Sequence, residues 1–162
     1  MSWLKRVSFR RSPIHGTGVF ALEPIRAGER VWCFDQSMHV CGPGDLGGLD
    51  PDRLAFALHG GYYHALANKF VWYEDGMQYV NHADPPAANI GIAEWTPLEQ
   101  DNCTALRDIN PGEELYEDYE FWSVFNLPAT HWVHAFYRDF CPTHYAFLRS
   151  VHERRIGRRF IA

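Results

Sequence analysis

The sequence lacks several features that would assign it to a class at once. No apolar run approaches the roughly 18 residues that a membrane-spanning helix needs. The basic start, MSWLKRVSFRRSP, is not followed by the apolar segment of a secretory signal. No repeat of fixed period and no low-complexity linker divides the 162 residues. These absences predict one structural unit without a membrane contact.

Cysteine is also scarce and scattered. The four cysteines are Cys33, Cys41, Cys103 and Cys141, and no two of them form a CxxC pair. Scattered cysteines favour reduced thiols over a disulfide framework. We therefore predict a cytoplasmic location.

Positive charge is nearly missing from the middle of the chain. Residues 12–148 hold 6 Lys and Arg against 19 Asp and Glu, a formal charge of −13. A field of this sign attracts basic ligands and repels nucleic acid. An ordinary solubilising surface is the alternative interpretation. The other basic residues lie in 1–11 and 149–162, and the second group includes the run RRIGRR.

The chain has ample material for a core, with 46% apolar and 15% aromatic residues. Short strand-like stretches fall at 7–9, 18–22, 30–34, 69–73, 77–80, 89–95 and 103–109. The Asp75-Gly76 pair predicts a hairpin turn between two of them. Helical patterns fall at 51–58 and after residue 121, where Pro142 is expected to interrupt the helix. The predicted class is mainly β with minor α.

Two short segments contain groups that can bind a ligand. In His15-Gly16-Thr17-Gly18, two glycines one residue apart let the backbone approach a ligand closely, although a simple tight turn has the same pattern. The Asn81-His82 pair both donates and accepts hydrogen bonds, so it can hold an amino-acid head group or an adenine edge. A buried polar pair bonded to the local backbone is the alternative.

A third segment, PGEELYEDY, runs from Pro111 to Tyr119 and offers a phenol after an acidic strand. An acidic edge strand after a turn is the simpler interpretation. The order and spacing of the three segments are more specific than any one of them. Together with Ile25-Arg26-Ala27-Gly28-Glu29 after the glycine turn, they resemble the SET-domain family of protein lysine methyltransferases. The resemblance covers about residues 6 to 122.

The resemblance implies a fold of small curled β-sheets with a threaded C-terminal segment. The SET domain would span 1–122, and 123–162 would be a C-terminal helical extension packed on it. The implied activity is transfer of a methyl group from S-adenosyl-L-methionine to lysine side chains of a Lys/Arg-rich protein or peptide. No metal is implied. The implied catalytic residues are Tyr119 and Tyr62 (or its neighbour Tyr63), and the implied cofactor-binding residues are His15, Gly16, Thr17, Gly18, Asn81, His82 and Trp122.

The sequence departs from the family pattern at two places. Asn89 lies eight residues after Asn81 rather than six, so the loop between them is two residues longer and the role of Asn89 stays open. Glu117 stands two before Tyr119, where the family usually has Phe or Tyr. Either its acidic side chain alters the lysine channel, or Tyr116 takes that place through a register shift. The number of methyl groups added is therefore left open.

Three other functions compete with the enzyme. A catalytically weak SET-like module would bind cofactor or a partner without turnover. A zinc site could form from His131, His134, Cys141 and His144, since their spacing can converge on one ion. The run from Arg154 to Arg159 could contact nucleic acid, but the acidic body opposes this. The same run could instead meet the acidic body of a second copy, so a homodimer stays open.

Overall fold

The computed structural model describes residues 2–92 and 94–159, with the side chains of Arg158 and Arg159 left undescribed. The strands are β1 Val7–Arg11, β2 Thr17–Ala21, β3 Arg30–Cys33, β4 His39–Cys41, β5 Tyr62–His64, β6 Lys69–Trp72, β7 Asn81–His82, β8 Ile90–Gly91, β9 Asn102–Ala105 and β10 Tyr116–Glu117. The helices are α1 Pro43–Gly47, α2 Pro51–Gly60, α3 Val133–Phe140 and α4 Pro142–Arg159. Short 3₁₀ turns cover Met77–Tyr79, Leu98–Gln100 and Val124–Asn126.

The described chain forms two compact units. The first comprises residues 2–38, 65–67 and 73–118, and the second comprises 39–64, 68–72 and 119–159. The sequence division after residue 122 differs from this one, because the second unit also takes in the central segment that carries α1, α2 and the sheet β4-β6-β5. The assignment of 123–162 as an extension packed on a SET domain stays a prediction.

Two sheets build the first unit. Strands β1 and β2 pair antiparallel, with Val7 opposite Ala21 and Arg11 opposite Thr17. The second sheet has the order β3-β9-β8-β10-β7. Its strand β10 lies between β7 and β8 and is parallel to both. Since β7 and β8 are joined directly by residues 83–89, this connection must cross β10. The threaded C-terminal segment that the family resemblance implies stays a prediction.

The segment before β10 runs along β2. Ala21 N donates to Glu113 O at 2.9 Å, and Leu115 N donates to Val19 O at 2.7 Å. Residues 19 to 21 of β2 are all buried, as expected for a strand whose apolar run is covered on both faces. The backbone of the acidic segment is therefore fixed by a ladder, whatever its side chains do.

In the second unit, the antiparallel sheet β4-β6-β5 and the four helices enclose an aromatic core. Helix α2 starts where the sequence predicts, because the Asp50 side chain accepts a hydrogen bond from Arg53 N and Pro51 follows it at the first helical position. The largest fully buried core side chains of this unit are Trp72, Tyr137 and Phe70. None of the helices in the described ranges has both the length and the hydropathy to cross a bilayer.

Two local predictions are wrong, and one is confirmed. Residues 77–80 do not return as a strand, because a 3₁₀ turn forms over Met77–Tyr79 after Gly76 with φ 99°. The interruption predicted at Pro142 is confirmed, because α3 ends at Phe140, Cys141 is not helical, and Pro142 starts α4 at a position where a missing N–H costs nothing. The predicted strand 89–95 shrinks to Ile90–Gly91 in the described residues, which leave out Ala93.

Candidate functional site

The turn before β2 uses its two glycines for different reasons. Gly16 has φ 51°, in the left-handed region that favours glycine, and a Cβ added there would meet no atom of the described residues within 4 Å. Gly18 instead lies against another side chain. A Cβ on Gly18 would stand 2.7 Å from Glu114 Cδ, nearer still to its Oε1, and 3.1 Å from Ser12 Cβ. The second glycine is thus required by the close approach of Glu114.

Asn81 connects the three segments that the sequence singled out within this unit. Its Nδ2 lies 3.1 Å from His15 O, 3.3 Å from Thr17 O and 2.9 Å from Glu114 Oε1. Three acceptor oxygens around one terminal atom identify that atom as the amide nitrogen. The side chain therefore ties the glycine turn to the acidic segment, and the predicted residues His15, Gly16, Thr17, Gly18 and Asn81 come together.

Glu114 lies at the centre of this arrangement and is only 6% exposed. Its Oε2 accepts from Ser12 Oγ at 3.0 Å and from Tyr116 Oη at 2.9 Å, while Oε1 accepts from Asn81. A buried carboxylate needs such donors, because burial without them costs several kcal/mol. We call Ser12, Asn81, Glu114 and Tyr116 the Glu114 network.

Asn89, whose role the sequence leaves open, fixes the backbone of the same segment. It is fully buried, and its Nδ2 donates to Glu114 O at 2.8 Å while Tyr116 N donates to its Oδ1 at 2.8 Å. Both halves of the amide are thereby used. The loop that is longer by two residues thus still brings an asparagine side chain onto β10.

The Tyr116 hydroxyl stays protonated at physiological pH. Burial and the neighbouring Glu114 raise the pKa of Tyr116 to about 12. Because the folded pKa is the higher one, the stability linked to this proton is complete below about pH 10, the ordinary tyrosine pKa, and is lost as pH rises towards 12.

We expect the difference in free energy of unfolding between wild type and Tyr116→Phe to stay constant up to about pH 10 and to shrink between about 10 and 12. Urea unfolding of both proteins at several pH values measures this difference. The contributions of the other tyrosines cancel in it, because both proteins contain them. A difference that already shrinks near pH 8 would contradict the assignment.

His82 follows Asn81 on β7, where its backbone position pairs with Glu117 of β10. Its side chain is largely buried, and Nε2 lies 3.3 Å from Asp84 Oδ1. His82, Asp84 and Asp118 place one nitrogen or oxygen each within 4.8 Å of one another. The imidazole therefore lies beside two carboxylates.

Glu117 points to β9 from its place on β10. Cys103 Sγ lies 3.3 Å from Glu117 Oε1 and can donate to it. Burial first, and the Glu117 carboxylate second, raise the pKa of the Cys103 thiol well above its usual value. Glu117 and Tyr116 thus face different partners, Cys103 and Glu114.

The predicted residues Tyr62, Tyr119 and Trp122 lie in the second unit. The rings of Tyr62 and Trp122 are 4.3 Å apart at 56°, and Trp122 N donates to Tyr119 O at 3.1 Å. The Tyr119 ring meets the edges of His144 and Phe147, both at 6.3 Å between centroids. The predicted site residues therefore form two groups, one in each unit.

The alternative zinc site is not assembled. His131 Nε2 lies 3.1 Å from Tyr63 Oη, and His134 Nδ1 lies 2.9 Å from Tyr145 Oη. Within 2–92 and 94–159, the group of possible metal ligands is the one around His82, which includes neither histidine. All four cysteines carry free thiols. In the basic run 154–159, two of the four arginine side chains lie outside the described part, so the nucleic-acid alternative stays a prediction.

Sequence reasoning missed Ser12 and Glu114. The neighbouring pair Glu113-Glu114 contained a usable indication, since successive side chains of an extended segment point to opposite sides. Next to the buried strand β2, one of the two had to face inward. Glu113 instead takes the outer side, where Arg107 and Asn110 bind it.

Known proteins resemble this chain in sequence and in structure. The chain is 28% identical over 121 residues to "Histone-lysine N-methyltransferase, H3 lysine-4 specific" of Cryptococcus neoformans, which covers 72% of this chain and 8% of that protein. Structurally it resembles Polycomb Repressive Complex 2 of Chaetomium thermophilum in a humanized form bound to an inhibitor, with TM-score 0.49, 25% identity and coverage of 71% and 15%. The chain thus spans only a small part of these relatives.

A second similar structure is ctPRC2 in an autoinhibited conformation bound to S-adenosylmethionine, with TM-score 0.50, 24% identity, and coverage of 71% of this chain and 15% of that one. This likeness concerns the fold alone, and it confirms the predicted class of small β-sheets with a few helices. The SET domain model matches residues 16–120, well over half of the sequence and nearly the range of the resemblance. The chain therefore belongs to the SET-domain family.

Proposed function

We propose that this chain is an S-adenosylmethionine-dependent protein-lysine N-methyltransferase that acts on a basic protein segment. SET methyltransferases use S-adenosyl-L-methionine as methyl donor. The observation that carries the proposal is the set of three Asn81 contacts, which draws the glycine turn, the Asn-His pair and the acidic segment into one place. These are the segments on which the family resemblance rests.

The proposed binding of S-adenosylmethionine follows from the acceptor atom that Asn81 leaves available to a ligand. Within the described ranges its side-chain hydrogen bonds all use Nδ2, so Oδ1 is left to accept from a ligand N–H group. The backbone of the Gly16–Gly18 turn can approach the same ligand. An amino-acid head group or an adenine edge supplies matching donors.

The chemistry asks little of the protein beyond alignment. A free lysine has a pKa of about 10.4, so only about one in a thousand is neutral near neutral pH. An aromatic channel lowers that pKa by desolvation, and Tyr62 with Trp122 offers aromatic walls. The Tyr119 hydroxyl would orient the amine lone pair towards the sulfonium methyl carbon. Alignment of this kind can supply about 7–11 kcal/mol of the barrier.

The substrate class is proposed from charge. The body of the chain, residues 12–148, has a formal charge of −13 and suits a lysine among other basic residues. The fungal relative carries "H3 lysine-4 specific" in its name, which names a histone as the substrate of that protein. We further propose a cytoplasmic, reducing location, which free cysteine thiols favour.

The test is transfer of a labelled methyl group from S-adenosylmethionine to a lysine-rich peptide, with the same peptide carrying Arg in place of every Lys as control. Label in the first peptide alone supports the proposal. Absence of label in a pool of basic proteins, with the cofactor bound, would favour the binding module instead. The binding module is retained as a second function because Glu117 is buried where the family usually has an aromatic residue.

Salt should weaken substrate binding if the acidic body guides it. We expect the KM for a lysine-rich peptide to rise several-fold between about 50 and 300 mM salt, because the screening length shortens from above 10 Å to below 8 Å. The kcat should change little. A KM that is indifferent to salt would contradict the proposed substrate class and leave the cofactor assignment in place.

A further inference from the structure

We propose that Glu114 is a positioning residue of the cofactor site, which sets the affinity for S-adenosylmethionine by holding Asn81 and the glycine turn. The inference rests on the proposed function. It concerns a side chain that the sequence pattern leaves without a role. The Glu114 carboxylate accepts hydrogen bonds from Ser12, Asn81 and Tyr116, so it would act on the cofactor through Asn81.

The first argument is the convergence of donors on one carboxylate. Ser12 Oγ, Tyr116 Oη and Asn81 Nδ2 lie at 2.9 to 3.0 Å from its two oxygens. They come from residues 12, 81 and 116, which are distant in sequence. A structural carboxylate on an exposed turn does not gather such a set, and hydrogen bonds to a carboxylate are stronger than those between neutral groups.

The second argument is the orientation of the Asn81 amide. An amide nitrogen has two hydrogens, while Nδ2 has three acceptors around it: His15 O, Thr17 O and Glu114 Oε1. The carboxylate is the strongest acceptor and keeps the nitrogen on the protein side. The amide oxygen consequently faces away. Without Glu114, the amide would turn more freely and would present oxygen and nitrogen alternately to the ligand.

The third argument separates this role from folding. The backbone around Glu114 is held by Ala21 N to Glu113 O, by Leu115 N to Val19 O, and by the buried Asn89 amide. None of these bonds uses the Glu114 side chain. Its replacement by the isosteric glutamine should therefore disturb the amide of Asn81 more than it disturbs the strand.

The experiment compares Glu114→Gln with Glu113→Gln in the full chain. Glu113 is the adjacent residue, and its carboxylate binds Arg107 and Asn110 on the outer side of the same turn. Isothermal calorimetry measures the Kd of S-adenosylmethionine. Steady-state kinetics at varied cofactor, with a saturating lysine-rich peptide, separates KM from kcat.

We expect Glu114→Gln to raise the Kd and the KM for the cofactor about 10-fold, because it weakens a charge-assisted contact. The kcat at saturating cofactor should stay within about twofold, since no group at the reacting atoms changes. Glu113→Gln should leave all three quantities as in wild type. A merely structural role would instead lower the melting temperature and leave the Kd of the folded protein unchanged.

Equal Kd values for wild type and a folded Glu114→Gln would overturn the inference and leave the proposed function intact. A wild type that binds no S-adenosylmethionine would end both. If Glu114→Gln does not fold, Ser12→Ala and Tyr116→Phe each remove one donor from the same carboxylate. A rise of about 2- to 5-fold in Kd supports the role, and unchanged affinity in both overturns it.

Discussion

Replacing Tyr119 by phenylalanine is expected to lower methyl transfer at least about 100-fold while S-adenosylmethionine still binds. The substitution removes one hydroxyl and keeps the ring. The edge contacts of that ring with His144 and Phe147 need no hydroxyl, and the hydrogen bond from Trp122 N goes to the backbone oxygen. An unchanged melting temperature of Tyr119→Phe would show that the second unit keeps its fold, and a loss of rate would then report on the hydroxyl itself.

The size of the effect follows from the role proposed for the hydroxyl. If it orients the amine and stabilises positive charge on the migrating methyl group, it acts only near the transition state, so kcat falls and the cofactor Kd does not. Tyr79→Phe is the matched control, since Tyr79 is 40% exposed and lies in the first unit. Single-turnover transfer with labelled cofactor measures the rate. Undiminished transfer by Tyr119→Phe would refute the catalytic assignment.

How much of this site could be predicted depends on the kind of interaction. The glycine turn and the Asn-His pair could be found because their function depends on the residue types themselves: glycine lets the backbone approach a ligand, and Asn-His supplies donors and acceptors. The Glu114 network could not, because it depends on a carboxylate 33 residues from Asn81 turning inward. Nothing local in the sequence distinguishes Glu114 from Glu113. Only the pairing of this segment with β2 decides which of them is buried.

The same distinction applies to the fold. Helix α2 was predictable from Asp50 and Pro51, which cap it locally. The turn at Gly76 was not, because an Asp-Gly pair suits both a hairpin and the entry to a 3₁₀ turn. Here the Asp75 side chain accepts from Met77 N at 2.9 Å, which favours the second outcome. The position of β10 between β7 and β8 depends on long-range pairing that no local pattern indicates.

Gly18→Ala is the substitution from which we expect the largest combined loss of stability and cofactor affinity. The new methyl group would stand 2.7 Å from Glu114 Cδ and 3.1 Å from Ser12 Cβ. A long side chain could normally move aside, but three hydrogen bonds hold Glu114 and little space surrounds it. Overpacking of this kind costs about 1–3 kcal/mol, and the displaced carboxylate would release Asn81. The cofactor Kd should rise by more than about 10-fold.

A double substitution distinguishes this clash from any other effect of alanine in β2. Shortening Glu114 to alanine removes the carboxylate atoms that the new methyl group would meet at closest range, and leaves the looser contact with Ser12 Cβ at 3.1 Å. Gly18→Ala should then cost about 1 kcal/mol less in a Glu114→Ala background than alone, since residues in contact are not additive. Urea unfolding of the four proteins gives this coupling. Gly91→Ala controls for alanine in a strand, since Gly91 lies in β8 and, among the described residues, its added methyl would meet only Leu106 Cδ1, at 3.7 Å. Strict additivity would mean that the cost of Gly18→Ala does not come from the contact with Glu114. Gly18 would then not be needed to make room for the Glu114 carboxylate.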